Sequence, residues 1–227
     1  IRYERESRGL GDVYKRQNLH TDASPKDMEV LCNEAKEHHF AMVAINQVQS
    51  GLCAKLLEGT DIHTGAAISF PLGQTTIASK VFDTKDAIAN GASEIDMVIN
   101  IGFLKNGRYE EVENEIRAIH EACDGRILKV IIETCLLTEE EKIKMCEIVT
   151  NAGAEFIKTS TGFSTAGATF ADVELMKKYI GKDVKVKAAG GISSFDDAEK
   201  FISLGAERLG TSRLIKILKN TDTGAGY

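Results

Sequence analysis

Short apolar runs alternate with longer stretches of helical period along most of this chain. The runs AMVAIN (41–46), GAAISF (65–70), EIDMVIN (94–100), ILKVIIE (127–133), EFIKTS (155–160), VKVKAA (184–189) and ERLGT (207–211) read as strands. Several are continuously apolar and β-branched, the pattern of parallel strands buried on both faces. The stretches between them have helical spacing, as in Val112, Ile116 and Ile119 at i, i+4 and i+7. Helix starts carry their own marks: Ser24 before Pro25 and Asp27, Thr138 with Glu141, Thr169 with Asp172, and Ser194 with Asp197. Each pairs a capping oxygen with an acid near the positive helix end. Gly91, Gly153 and Gly205 each stand just before a strand, where glycine supplies the left-handed residue that stops a helix. They recur after 62 and 52 residues, about two strand–helix units each.

Seven strand–helix units are therefore expected, preceded by a helix at about 24–39. One further strand ahead of that helix makes eight. A TIM (β/α)8 barrel, of class α/β, accounts for both order and length. A doubly wound open sheet is the runner-up, weakened by the absence of a G-x-G-x-x-G or G-K-[ST] loop. Residues 1–17 stand apart: IRYERESRGLGDVYKRQ carries eight charges and no clean apolar period. They read as a non-native leader, 18–220 as a single barrel domain, and 221–227 as a mobile C-terminal tail. The first strand of the barrel is then replaced by foreign N-terminal sequence.

Composition narrows the class. The 227 residues are 43% hydrophobic and 27% charged, with a formal net charge of -6. These are globular values. An acidic chain argues against nucleic acid as a partner. No apolar run nears the 18 or so residues of a membrane span, and no secretory signal is visible. Five cysteines without a C-x-x-C, and five histidines without H-E-x-x-H spacing, give neither a disulfide framework nor a metal site. Reduced thiols in the cytoplasm fit best.

Barrels carry their chemistry at the C-terminal ends of the strands. Those ends offer Asp96 on strand four, Lys129 and Glu133 on five, Lys158 on six and Lys187 on seven. Two lysines on adjacent buried strands are unusual. The pleat puts Val184 and Val186 on one face and Lys185 and Lys187 on the other, so the lysines are expected to face the axis. Two ammoniums ~6 Å apart repel by roughly 3 kcal/mol at an effective dielectric of about 20, or about two pKa units. Such an amine becomes a nucleophile for Schiff-base chemistry on a carbonyl, with Asp96 moving protons. Equally open on pattern alone is a buried Lys–Asp network, such as Asp96 with Lys129, that only holds the barrel together. Gly190-Gly191 and Gly210-Thr211-Ser212-Arg213 follow strands seven and eight, where barrels often bind phosphate. They favour a phosphorylated carbonyl substrate.

The segments FIKTSTGF (156–163), VKVKAAGGI (184–192), EIDMVIN (94–100), LKVIIET (128–134), SFPLG (69–73) and LGTS (209–212) go further. In their order and spacing the chain resembles the deoxyribose-phosphate aldolase family of class I aldolases, over about residues 19–227. The resemblance implies reversible cleavage of 2-deoxy-D-ribose 5-phosphate to acetaldehyde and D-glyceraldehyde 3-phosphate, in deoxyribose phosphate catabolism, with no metal or organic cofactor. It makes Lys158 the Schiff-base lysine, Lys187 the neighbour that depresses its pKa, and Asp96 the proton-transfer carboxylate. Gly162, Gly190, Gly191, Gly210, Ser212 and Arg213 match phosphate-binding positions. Tyr227 matches a C-terminal tyrosine that assists proton transfer in some members. Homodimers are common in the family. The family opens with a D-x-T-L-L strand, whereas here Lys15-Arg16-Gln17-Asn18 precede Leu19. A makeshift strand within Asp12–Asn18 would have to fill that place, and Asp12 is not assigned the role of the family's Asp. Asn46-Gln47 stands where Asn-Pro is common. The alternatives are an impaired phosphate-binding barrel lacking native strand one, and another Schiff-base barrel of aldolase or transaldolase type.

Overall fold

The computed structural model describes residues 14–211 and Leu214, with the backbone alone for 14–16. Eight parallel strands close into a barrel in sequence order: β1 Tyr14–Asn18, β2 Met42–Asn46, β3 His63–Ile68, β4 Glu94–Val98, β5 Ile127–Ile131, β6 Phe156–Lys158, β7 Lys185–Ala189 and β8 Ala206–Gly210. The helices between them are α1 Pro25–Glu37, α2 Ser50–Leu56, α3 Ile77–Ala89, α4 Ile101–Lys105, α5 Tyr109–Ala122, α6 Glu139–Ala152, α7 Phe170–Tyr179 and α8 Phe195–Ser203. This is the TIM barrel.

The strands alternate between two environments. Val43, Ile45, Ile68, Ile95, Met97, Leu128, Val130, Ile157, Val186 and Leu209 join the core shared with the helices. The intervening residues, among them Asp96, Lys129, Lys158 and Lys187, point to the axis and are buried there. The valine and lysine faces of strand seven are thus as the pleat predicts. Lys185, at the bottom rim, is exposed.

Local chemistry explains the helix ends. Ser24 and Thr138 both make full capping boxes, with Asp27 and Glu141. Thr169 and Ser194 accept from the N–H groups of Asp172 and Asp197. Gly153 ends α6 in the left-handed conformation, φ +82°. No helix among the described residues is long and apolar enough to cross a membrane.

Strand one is formed within the stretch Asp12–Asn18, where a makeshift strand is expected. The barrel takes in residues from Tyr14, four positions before the expected domain start at 18. β1 pairs with β2 from Lys15↔Met42 to Asn18↔Ile45, and with β8 through Tyr14↔Leu209 and Lys15↔Gly210. A ladder needs backbone groups, not particular side chains, so a charged segment closes the barrel. Asp12 and the tail at 221–227 lie outside the described residues.

Candidate active site

Register brings the site together. Lys158 stands opposite Lys187 in the β6–β7 ladder, and Asp96 opposite Lys129 in β4–β5. All four side chains are buried. Lys158 Nζ donates to Asp96 Oδ2 at 3.0 Å and Lys187 Nζ donates to the same oxygen at 2.8 Å. Lys129 Nζ donates to Asp96 Oδ1 at 2.7 Å and sits 2.5 Å from Glu94 Oε2. Both readings of the pattern are therefore present at once: an Asp96–Lys129 pair, and two further lysines on the carboxylate's other oxygen.

The electrostatics follow from that arrangement. Burial drives Lys187 well below the ordinary lysine range; Asp96 opposes this, while Lys158 and Lys129 add to it. Burial alone would raise the Asp96 carboxyl, but Lys129, Lys187 and Lys158 together hold it well below its usual value. Asp96 therefore stays ionised and serves as an acceptor. An amine that gives up its proton beside a fixed anion is a nucleophile.

The loops above the strands are cross-tied. Glu133, at the end of β5 in a left-handed conformation (φ +54°), turns to Thr161. Its carboxylate accepts from the Thr161 N–H at 3.2 Å and from the Thr161 hydroxyl. Burial raises the Glu133 carboxyl, against the pull of Thr161 and Lys158. β6 is short because Thr159 takes over its ladder: its N–H donates to the Lys187 carbonyl, and its hydroxyl accepts from the Ala189 N–H at 3.1 Å. Gly162 (φ +87°) follows, near the Gln17 amide.

Gly190 and Gly191 both have positive φ, +69° and +71°. A Cβ on Gly191 would lie 2.5 Å from the Ala168 carbonyl oxygen. The Gly190 N–H donates to the Gly210 carbonyl at 3.0 Å, so that group is occupied in holding loops seven and eight together. Thr211 Oγ1 adds a second tie, to the Ile192 carbonyl. Ser212, Arg213 and Tyr227 lie outside the described residues. Across the mouth, Phe163 meets Phe70 edge-on at 5.4 Å and His20 at 6.1 Å, beside the exposed Leu72. A groove of about 600 Å³ on the outer wall, lined by Val81, Lys85, Ile88, Ala118 and Glu121 among others, contains none of these groups.

A model of the DeoC/LacD family aldolases matches residues 13–210. The chain belongs to the DeoC/LacD aldolase family. It is thus an aldolase, a carbon–carbon lyase. A DeoC/LacD relative from Streptococcus equi subsp. zooepidemicus, named deoxyribose-phosphate aldolase, is 51% identical over 209 residues, 92% of this chain and 95% of the relative. One of the same name from Clostridioides difficile is 54% identical over 198 residues, 87% and 90% of the two chains. The tetrameric deoxyribose phosphate aldolase of Aeropyrum pernix shares the fold with a TM-score of 0.85 at 27% identity, covering 95% and 92%.

Sequence reading passed over several residues that shape this DeoC/LacD site. Gly167 is one: a Cβ there would lie 2.4 Å from the Gly190 carbonyl carbon. Its only signal was a glycine in the loop after strand six. Glu94 and Arg208 are others, paired at 2.7 Å below Asp96. Their charges on inward-facing strand positions were visible, but not that they meet.

Proposed function

We propose that this chain cleaves 2-deoxy-D-ribose 5-phosphate reversibly to acetaldehyde and D-glyceraldehyde 3-phosphate, through a Schiff base on Lys158. One observation carries the reading: Lys158 and Lys187 share the Asp96 Oδ2 acceptor inside the barrel's C-terminal half. The names of its relatives give the substrate.

The Lys158 amine, its proton passed to its neighbours, attacks the C1 aldehyde carbon of the open-chain sugar. The carbinolamine loses water and leaves a protonated imine. The C3 hydroxyl then gives up its proton, the C2–C3 bond breaks, and its electron pair enters the imine as an enamine. Glyceraldehyde 3-phosphate leaves. C2 takes a proton, and water hydrolyses the imine to release acetaldehyde. Asp96, held ionised, accepts protons directly or through water, and Lys187 supplies the adjacent amine for the relay. The loops after β6, β7 and β8, with Gly162, Gly190, Gly191, Gly210, Ser212 and Arg213, are the phosphate end. Tyr227 is assigned to assist proton transfer at C2. The reaction belongs to deoxyribose phosphate breakdown in the cytoplasm, by a homodimer, and needs no cofactor.

Borohydride trapping with deoxyribose 5-phosphate tests the assignment. A reduced adduct on Lys158, absent in Lys158→Ala, is the expected peptide mass result. An adduct on Lys187 would exchange the two roles. No adduct in folded protein would favour the impaired barrel.

A further inference from the structure

Below the reactive lysines lies a second charged layer. Glu94 is fully buried two residues before Asp96 on β4, so its backbone sits one inward layer down, about 7 Å along the strand. Lys129 bridges the layers, between Glu94 Oε2 at 2.5 Å and Asp96 Oδ1 at 2.7 Å. Arg208 on β8 donates to Glu94 Oε2 at 2.7 Å, with its guanidinium 4.6 Å from the centre of the Phe156 ring. His63 Nδ1 reaches Glu94 Oε1 at 2.8 Å from the half-exposed bottom rim.

We propose that Glu94, with its partner Arg208, is a positioning residue for the reaction: the pair fixes Lys129 against Asp96 and so sets the pH at which the Lys158–Lys187 amines become reactive. The inference rests on the Schiff-base reading of that lysine pair.

The argument is one of charge in a dry interior. Among the described residues, four basic side chains (Lys129, Lys158, Lys187 and Arg208) meet three carboxylates (Glu94, Asp96 and Glu133) inside the barrel. His63 and the exposed Lys185 lie at the rim, Lys185 Nζ 5.8 Å from the centre of the Phe156 ring, and the neutral Gln17 faces the mouth from β1. With every group ionised one positive charge is in excess. Release of a single proton from the amine pair brings the set to neutrality. Moving the balance below must therefore move the proton above.

The sign is fixed for each change. Loss of the Glu94 charge leaves Lys129 wholly to Asp96 and weakens that carboxylate's pull on the two amines. The amines then deprotonate at lower pH. Loss of the Arg208 charge draws Lys129 toward Glu94 and frees Asp96 for the amines, which then hold their proton to higher pH. A unit charge about 7 Å away, at an effective dielectric of about 20 and partly offset by rearrangement, amounts to roughly one pH unit.

The test is reductive trapping of acetaldehyde with cyanoborohydride from pH 5 to 9, read by peptide mass at Lys158 and Lys187. Wild type, Glu94→Gln, Glu94→Asp and Arg208→Gln are compared, and turnover of deoxyribose 5-phosphate is followed in parallel. The trapping midpoint is expected to fall by about one pH unit in Glu94→Gln, rise by a similar amount in Arg208→Gln, and return toward wild type in Glu94→Asp. Shifts of the same direction in the two charge-removing variants, or unmoved midpoints with lower adduct yield, would overturn the proposal. Should Glu94→Gln fail to fold, the upward shift in Arg208→Gln decides alone, since a general loss of structure lowers yield without raising the midpoint. No adduct on either lysine of wild type at any pH defeats the Schiff-base reading and this proposal with it. An adduct with unmoved midpoints defeats the role of Glu94 only.

Discussion

Lys187 stands directly opposite Lys158 in the β6–β7 ladder, and the two amines converge on one oxygen, Asp96 Oδ2. A single carboxylate oxygen thus receives both amines, while Lys129 keeps the other oxygen occupied. Proton exchange between the amines needs no larger movement than a shift about that atom.

Asp96→Asn keeps the shape and removes the anion. The amines lose the charge that favours their protonated form, so a nucleophile remains available while proton transfer fails. Turnover is expected to fall by roughly 100- to 10,000-fold. Acetaldehyde trapping on Lys158 is expected to persist. Loss of trapping together with turnover would show that Asp96 is needed to build the site and not only to move protons.

Lys187 links stability to alkaline pH. Burial places its folded pKa well below the unfolded lysine value, so between the two the unfolded chain binds more protons. Its contribution to stability therefore rises with pH across that window and levels off near the ordinary lysine pKa of about 10.4. Lys187→Met removes the buried amine. Near pH 7 it is expected to melt above wild type by on the order of 5 °C, and the gap should close toward pH 10. Thermal unfolding at both ends of the window reads this directly. A gap that widens with pH would reverse the assignment.

Outside the barrel, Lys80 on α3 and Glu115 on α5 form a buried pair at 2.5 Å. Lys80 Nζ also donates to the Val98 carbonyl at 2.7 Å, and Glu115 accepts from the Asn100 N–H at 2.9 Å. The pair thus pins the end of β4, just beyond Asp96. Lys80→Met strands a buried carboxylate and is expected to cost about 3–5 kcal/mol in denaturant unfolding. The double replacement Lys80→Met with Glu115→Leu should recover much of that loss. A double variant no better than the single one would locate the cost in packing instead of charge.

Gly191→Ala probes the phosphate end. The substitution puts a side chain on a residue with positive φ and against the Ala168 carbonyl, at a strain of about 1–3 kcal/mol. KM for deoxyribose 5-phosphate is expected to rise severalfold or more, with acetaldehyde trapping on Lys158 little changed. Equal losses in both assays would mean that the loop also shapes the lysine site.

Most of the fold was legible because its signals are local. Ser24, Thr138, Thr169 and Ser194 cap the helices that their oxygens predict. The lysine and valine alternation of strand seven sets which face is inward. Strand one could be expected within Asp12–Asn18 only from the count of eight and the place it had to fill, since Tyr14–Asn18 carry no apolar period and owe their form to β2 and β8. The juxtaposition of Asp96, Lys158 and Lys187 could be argued from strand ends. The meetings of Glu94 with Arg208, of Lys80 with Glu115, and of Gly167 with Gly190 depend on how distant elements are staggered, which no local pattern records.

The ties among the loops after β5 to β8 divide the mouth into two kinds of surface. Glu133 to Thr161, Gly167 on Gly190, Gly190 to Gly210 and Thr211 to Ile192 make one side a continuous tied frame. Phe163, Phe70 and Leu72 form a rim of side chains that touch edge-on or face solvent. Side chains on that rim can therefore change while the frame stays as it is, so one half of the entrance is free to diversify and the other holds the scaffold constant.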